Sequence, residues 1–279
     1  MNIPWKVKSL IFKFIDLLKI HKILYLIQVN LTSRVNFDND FSPNKIWLKH
    51  LESLKKYNCL NSIIEFGAGK SLSQNLYFSN YFTKQILCDI NKMLNISFVE
   101  QHRKFISNYT ELRDSVEINS VDDLKNYGIE YKAPYDMRST NFEDSSFDAC
   151  ITTDVLEHIP ESDINKILIE LKRILKIDGV LSFWINYSDH YSHTDKSITP
   201  FNFLKYSQQE WKKYNHYSHF QNRLRHSDFK KIFLEFGFDI IEEQIIFDEK
   251  NPPKMLEEKF KNSPDSWKAV EGYFLLKKN

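Results

Sequence analysis

The residues able to do chemistry in this chain gather at the ends of short apolar runs. The first run closes with Ile63 and Ile64, and Glu65, Gly67 and Gly69 follow at once in the segment NSIIEFGAGKS. Glycines in such a turn accept positive φ and let a ligand approach the backbone without meeting a Cβ. An apolar run, a G-x-G turn and a helix together read as the first strand and turn of an α/β nucleotide-binding unit. The phosphate loop of an NTPase needs a glycine five residues before Gly69-Lys70-Ser71, where Ile64 stands. A dinucleotide turn needs one three residues after Gly69, where Leu72 stands. Asp89 closes the run QILCDI. An acid about 20 residues past a glycine turn is placed to accept hydrogen bonds from ribose hydroxyls. Asp136-Met137 and Thr153-Asp154 close two further runs.

Histidines follow the same pattern. His158, His190 and His193 fall just after the predicted fourth and fifth strands. Imidazole is the side chain best matched to taking a hydroxyl proton near neutral pH. His190, in the polar loop DHYSHTDKS with Asp189 as its candidate partner, is the first choice as catalytic base. His158, followed by Ile159-Pro160, reads as the second, more fixed catalytic histidine. Asp154, Glu157 and His158 stand at i, i+3 and i+4, one face of a helical turn, and could hold a divalent ion with His190 or His193. The same spacing is that of a capping box. The capping reading is taken, and no metal is expected. Arg223 and Arg225 could clamp an acceptor phosphate, but solvation or pairing with acids is the expectation.

The elements that must position these groups alternate between strand and helix. A helix is expected over 47–57, the first strand before Glu65, a helix over 72–82, and a second strand over 85–90. Residues 91–121 read as mostly helical. A third strand over 128–135 and a fourth over 147–153 follow. A helix over 164–176 ends at Asp178-Gly179, and a fifth strand spans 180–185. A helix over 227–236 capped by Ser227 then precedes strands over 239–247 and 270–277. That order implies a mainly parallel sheet whose ligands sit at the carboxyl ends of its strands.

Four strand ends, Glu65-Phe66-Gly67-Ala68-Gly69, Asp89, Asp136-Met137 and the segment FDACITTDVLEHIP, together with LKRILKIDGVLSFWI, resemble the motifs of class I S-adenosylmethionine-dependent methyltransferases. The likeness runs from about residue 57 to the C-terminus, and Ser71 stands where that family usually carries a third glycine. The resemblance implies a Rossmann-like α/β fold with helices on both faces and an antiparallel C-terminal strand, and S-adenosyl-L-methionine as cofactor. It places Glu65, Gly67 and Gly69 at the methionine part and Asp89 at the ribose. Asp136 and Met137 fall at the adenine, and Thr153 and Asp154 line the passage near the methyl group. The loop DHYSHTDKSITPFNFLKYS is similar to methyltransferases of bacterial surface-polysaccharide gene clusters. That implies O-methylation of a carbohydrate-related small molecule or glycan. The rival readings are a non-catalytic subunit of the same fold at a membrane surface and a P-loop phosphotransferase using Lys70 and Ser71.

Composition bounds the rest. With 279 residues the chain can hold one large domain and an appendage. A net charge of +1 predicts no bulk attraction to nucleic acid. Cys59, Cys88 and Cys150 lack C-x-x-C spacing, so neither a disulfide framework nor a zinc knuckle is expected, and buried thiols suit a cytoplasmic protein. Residues 1–34 interleave Trp5, Leu10, Phe14 and Leu17 with Lys6, Lys8, Lys13 and Lys19. Such a helix either docks on the protein's own core, the reading taken, or lies peripherally on the inner face of an anionic membrane. The expected division is a helical extension and linker over 1–55 and a methyltransferase domain over 56–279.

Overall fold

The computed structural model describes residues 3–20, 43–250, 255–261 and 267–279. The linker expected at 36–43, apart from Pro43, and the later part of the basic segment lie outside them. Seven strands form one sheet: β1 (Ser62–Phe66), β2 (Lys84–Cys88), β3 (Ile129–Lys132), β4 (Phe147–Thr153), β5 (Leu175–Asn186), β6 (Phe238–Phe247) and β7 (Ala269–Lys278). Their order across the sheet is β3-β2-β1-β4-β5-β7-β6. β3, β2, β1, β4 and β5 run parallel, and β7 is inserted antiparallel between β5 and β6. The carboxyl ends of β1, β2, β4 and β5 therefore share one edge.

Period-two alternation in the strands feeds two apolar layers. Ile64, Cys150, Leu181 and Phe183 face one side, with Leu168 and Leu171 of the helix Glu161–Ile174 and Phe229 and Phe233 of the helix His226–Glu235. Ile63, Ile151, Val180 and Trp184 face the other, against Leu51 and Leu54 of the helix Lys45–Lys56. Strands buried on both faces read as near-continuous apolar runs. The helix Glu161–Ile174 follows Pro160, carries Glu161 and Asp163 in its first turn and Lys172 and Arg173 in its last. Those charges complement its dipole.

Several boundaries differ from the sequence reading. Only Ile96–Ser107 of 91–121 is α-helical. The stretch after it is held by side chain–backbone bonds, Asp114 accepting from the amides of Ser115 and Val116, and Asp123 from those of Asn119 and Ser120. β5 begins at Leu175, so Asp178-Gly179 lies within the strand rather than ending a helix; its pairing with β4 is irregular between Phe147 and Ala149. Arg225, not Ser227, caps the helix His226–Glu235, its amide donating to Asp228 Oδ2 at 2.8 Å.

A further apolar cluster lies over the carboxyl edge. Trp5 and Phe12 of the helix Trp5–Leu17 pack with Tyr191, Phe203, Leu204 and Trp211. The Trp5 amide donates to Asp195 Oδ2 at 2.8 Å, and Asp16 accepts from the Ser218 amide at 3.1 Å. The inner face of the N-terminal helix is thus docked on its own protein. Its outer face leaves Val7, Leu10, Ile11, Phe14 and Leu17 exposed.

Candidate active site

β1 delivers the chain into a turn with Gly67 at φ +75 and Gly69 at φ +72. The Gly67 amide donates to the Cys88 carbonyl at 2.9 Å, which ties the turn to the end of β2. A Cβ on Gly67 would fall 2.9 Å from Val155 Cγ1 and nearer still to Cγ2. A Cβ on Gly69 would meet nothing within 4 Å. Gly67 is therefore required by packing, and Gly69 by conformation on an open face. Asp89 stands beside that face. Its carboxylate accepts from the Gly69 amide at 3.3 Å and from the Asn91 amide at 3.1 Å, and the residue is buried. Burial raises its pKa against the pull of these amides. An open glycine face joined to a half-satisfied buried carboxylate fits a ligand that presents a diol.

Glu65 is buried at the end of β1 and turned toward the short helix Ser73–Phe78, where it accepts from Asn75 Nδ2 at 2.6 Å and Gln74 Nε2 at 3.4 Å. Burial outweighs both amides and lifts its pKa to about 7 from an ordinary 4.5. A carboxyl whose folded pKa is raised stabilises the fold most below its unfolded pKa, and that contribution is lost as pH rises through the folded value. Stability should thus fall by roughly 3 kcal/mol between pH 4.5 and 7 through this group. Glu65→Gln keeps an acceptor for Asn75 and should flatten the denaturation profile across that window. Parallel profiles for the two proteins would show that Glu65 does not carry the dependence.

Asp136 is half exposed and paired with Arg138 at 2.6 Å, while Arg138 also reaches Asp163 at 2.9 Å. An adenine amino group at this place would share the carboxylate with the guanidinium. Met137 is buried in the core beneath. Thr153 closes β4, its hydroxyl 3.1 Å from His50 Nε2. His50 is fully buried, holds Ser182 Oγ at 2.7 Å through Nδ1, and is kept neutral by burial, its pKa lowered to about 3. Asp154 takes φ +54 as the chain leaves β4, and Val155 then packs on Gly67.

The capping reading of Asp154 and Glu157 is corrected here. Leu156–His158 is a single 3-10 turn with no side-chain cap, and the next helix starts after Pro160. Glu157 instead points inward, 2% exposed, and neither of its carboxylate oxygens has a hydrogen-bond partner among the described residues. Its Oε1 lies 3.9 Å from His190 Nε2, itself buried and without a partner among them. The His158 and His190 rings meet edge to face at 4.7 Å, and His193 stacks on His190 at 4.8 Å. His158 is exposed and His190 lies behind it, the reverse of the expected placement. Burial first, then His158, His193, His219 and Lys8, hold the His190 pKa down to about 2. Its imidazole is neutral at any working pH, a weak base with a free lone pair. Asp189 is not its partner. Asp189 caps the turn His190–His193, accepting from the Tyr191 amide at 2.9 Å and from Asn202 Nδ2 at 2.8 Å.

Arg223 and Arg225 are buried and donate to main-chain carbonyls, Arg223 to Phe203 and Tyr206, Arg225 to Tyr187, Trp267 and Ala269. They brace the cap over the edge, and their burial contradicts the solvated placement expected from the sequence. Residues the sequence did not single out complete the mouth. Asn222 donates from its amide to the Glu157 carbonyl at 2.7 Å and from Nδ2 to the carbonyls of Leu156 and Ile159, both at 2.8 Å. Gln221 Oε1 accepts from the His190 amide at 3.1 Å. A separate open hollow of about 480 Å³, bordered by Asn80, Thr83, Glu111 and Arg113, lies where the chain enters β2, at the opposite edge.

Comparison with known proteins agrees with this fold. A family model described as a methyltransferase domain matches residues 65–183, from the acid of the glycine turn into β5. Among solved structures, an S-adenosylmethionine-dependent methyltransferase from Clostridium acetobutylicum is 13% identical, with 92% of this chain and 98% of that one covered at a TM-score of 0.50. A candidate methyltransferase from Bacillus halodurans is 15% identical, with 82% and 99% covered at a TM-score of 0.50. No curated protein matches at a significant level. The fold is that of the class I methyltransferases, and the cofactor such a domain takes is S-adenosyl-L-methionine. The open Gly69 face and the buried Asp89 carboxylate fit it.

Proposed function

We propose that this methyltransferase domain moves a methyl group from S-adenosyl-L-methionine to a hydroxyl oxygen of a small, carbohydrate-related acceptor. The observation that supports it most is the Gly69–Asp89 cradle standing beside a histidine-lined mouth on one sheet edge. Bound there, S-adenosyl-L-methionine supplies a methyl group made electrophilic by its sulfonium. Glu65, Gly67 and Gly69 hold the methionine part, Asp89 the ribose, and Asp136 and Met137 the adenine. Thr153 and Asp154 line the passage to the acceptor. His158 and His190 line the mouth where the acceptor hydroxyl must lose its proton as the new C–O bond forms. Alignment of donor and acceptor supplies the larger share of such a displacement.

The carbohydrate part rests on the likeness of the 189–207 loop to enzymes of surface-polysaccharide gene clusters, and on a mouth that is polar rather than apolar. A labelled methyl donor incubated with the protein and a crude bacterial glycan extract should give label in a glycan fraction. Binding of S-adenosylhomocysteine with no transfer to any acceptor would instead favour a non-catalytic subunit.

No helix among the described residues is long and apolar enough to cross a membrane. The exposed outer face of Trp5–Leu17 joins Leu10, Phe14 and Leu17 to the exposed Lys6 and Lys13. We infer that this face rests on the anionic inner surface of a membrane, keeping the enzyme cytoplasmic. Full-length protein should float with vesicles containing anionic lipid at low salt and lose that behaviour at high salt. The triple change Leu10→Ser, Phe14→Ser and Leu17→Ser should abolish flotation and leave S-adenosylhomocysteine binding intact. Wild-type protein that stays in the soluble fraction at low salt would refute the membrane contact.

A further inference from the structure

The ends of β4 and β5 bring together three groups whose lone pairs converge on one point. One ligand atom each from Glu157, His158 and His190 lies within 4.8 Å of the other two. The Glu157 carboxylate is 2% exposed with both oxygens unpartnered among the described residues, and His190 Nε2 is unpartnered too. A protonated Glu157 donating to His190 would need a contact near 2.8 Å, and the separation is 3.9 Å. His158 spends its other nitrogen on the Phe220 carbonyl, Nδ1–H donating at 2.9 Å, which leaves the Nε2 lone pair for the cluster. Leaving a buried carboxylate without a partner costs several kcal/mol, and a cation at the centre would satisfy all three groups at once.

The surroundings are those of a braced ligand set. Three consecutive residues each hold one part of it. The Phe220 carbonyl fixes the tautomer of His158. Gln221 takes the His190 amide and donates to the Ser188 carbonyl at 2.6 Å. Asn222 clamps the main chain on both sides of Glu157 and His158. Metal-bound imidazoles commonly donate their second nitrogen to a carbonyl in this way.

We propose that Glu157, His158 and His190 bind one divalent first-row transition-metal ion in the mouth of the site. Two imidazoles and one carboxylate favour such an ion over magnesium or calcium and leave coordination positions open. Bonds of about 2.0–2.2 Å would draw the three ligand atoms in by about 1 Å. The open positions face the acceptor; that role rests on the methyl-transfer reading, whereas ion binding does not.

The test uses untagged full-length protein, stripped with a chelator, dialysed and titrated with Co²⁺. Visible ligand-field absorption, calorimetry and thermal melting are the readouts. The expected result is saturable uptake of one equivalent and a higher melting temperature. Glu157→Gln and His190→Ala should bind Co²⁺ at least about 100-fold more weakly, and Asn222→Ala roughly 10-fold more weakly through loss of positioning. S-adenosylhomocysteine affinity in these variants should stay unchanged, which reports that they are folded. No saturable uptake by the wild type, or equal uptake by Glu157→Gln and His190→Ala, would overturn the site. Should the variants fail to fold, a wild-type melting temperature unmoved by Co²⁺ overturns it alone. Co²⁺ binding with no S-adenosylhomocysteine binding would refute the methyl-transfer reading and uphold the ion site.

Discussion

Replacing either His158 or His190 by alanine should lower turnover by roughly 10²–10⁴-fold, the range for losing a group that manages a transferring proton. Affinity for S-adenosylhomocysteine should stay within about two-fold, since Gly69 and Asp89 bond to each other and to Asn91 and not to either histidine. Sequence position alone puts His190 ahead of His158. The structure removes that ranking: His158 is exposed in the mouth, and His190 sits behind it against Glu157. Single-turnover transfer of labelled methyl groups measures the effect without product release. Near-normal transfer in His190→Ala with none in His158→Ala would reduce His190 to a packing group. Full transfer in both would remove the histidines from the chemistry.

The parallel half of the fold was legible because its strands are buried on both faces. FDACITT has no polar alternation to blur its limits, and β4 falls at 147–153 as read. Glycine punctuation misled at Asp178-Gly179. A Cβ there would stand 3.0 Å from Leu175 Cδ2 and 3.1 Å from the Asp148 carbonyl, so the glycine serves the close approach of β4 at its irregular pairing with β5 rather than a helix end. The over-long helix at 91–121 has a similar cause. Asp114, Ser115, Ser120 and Asp123 form local side chain–backbone bonds that compete with helix.

The contact between Gly69 and Asp89 was legible because it is local: the two are 20 residues apart on adjacent strand ends. The mouth was not, because its organisation is set by distant residues. Asn222 reaches the Leu156 carbonyl across 66 positions and Phe220 reaches His158 across 62. Neither residue belongs to a motif, and no periodicity marks them. His50 shows the same limit. It lies on a helix that reads as an ordinary packing element, yet it links Thr153 to Ser182 inside the sheet. Aromatic residues beside a polar mouth are candidates to stack on a sugar ring. Trp211 and Tyr214 instead pack on Trp5, at ring separations of 6.5 and 4.8 Å.

The central claim is that the Gly67–Gly69 turn and Asp89 hold S-adenosyl-L-methionine, and Asp89→Ala is its sharpest variant. Asp89 is the buried carboxylate beside the open Gly69 face, and its contacts with the Gly69 and Asn91 amides leave acceptor capacity on both oxygens. A ribose diol donating to it makes charge-assisted hydrogen bonds worth about 1.5–3 kcal/mol, so their loss should weaken binding by roughly 10- to 150-fold. The most direct measurement is calorimetric titration of S-adenosylhomocysteine into wild-type protein and into folded Asp89→Ala. One saturable site in the wild type and a loss of that size in the variant are expected. Equal affinity in the two proteins would contradict the ribose assignment, and no binding to the wild type would contradict the cofactor site itself.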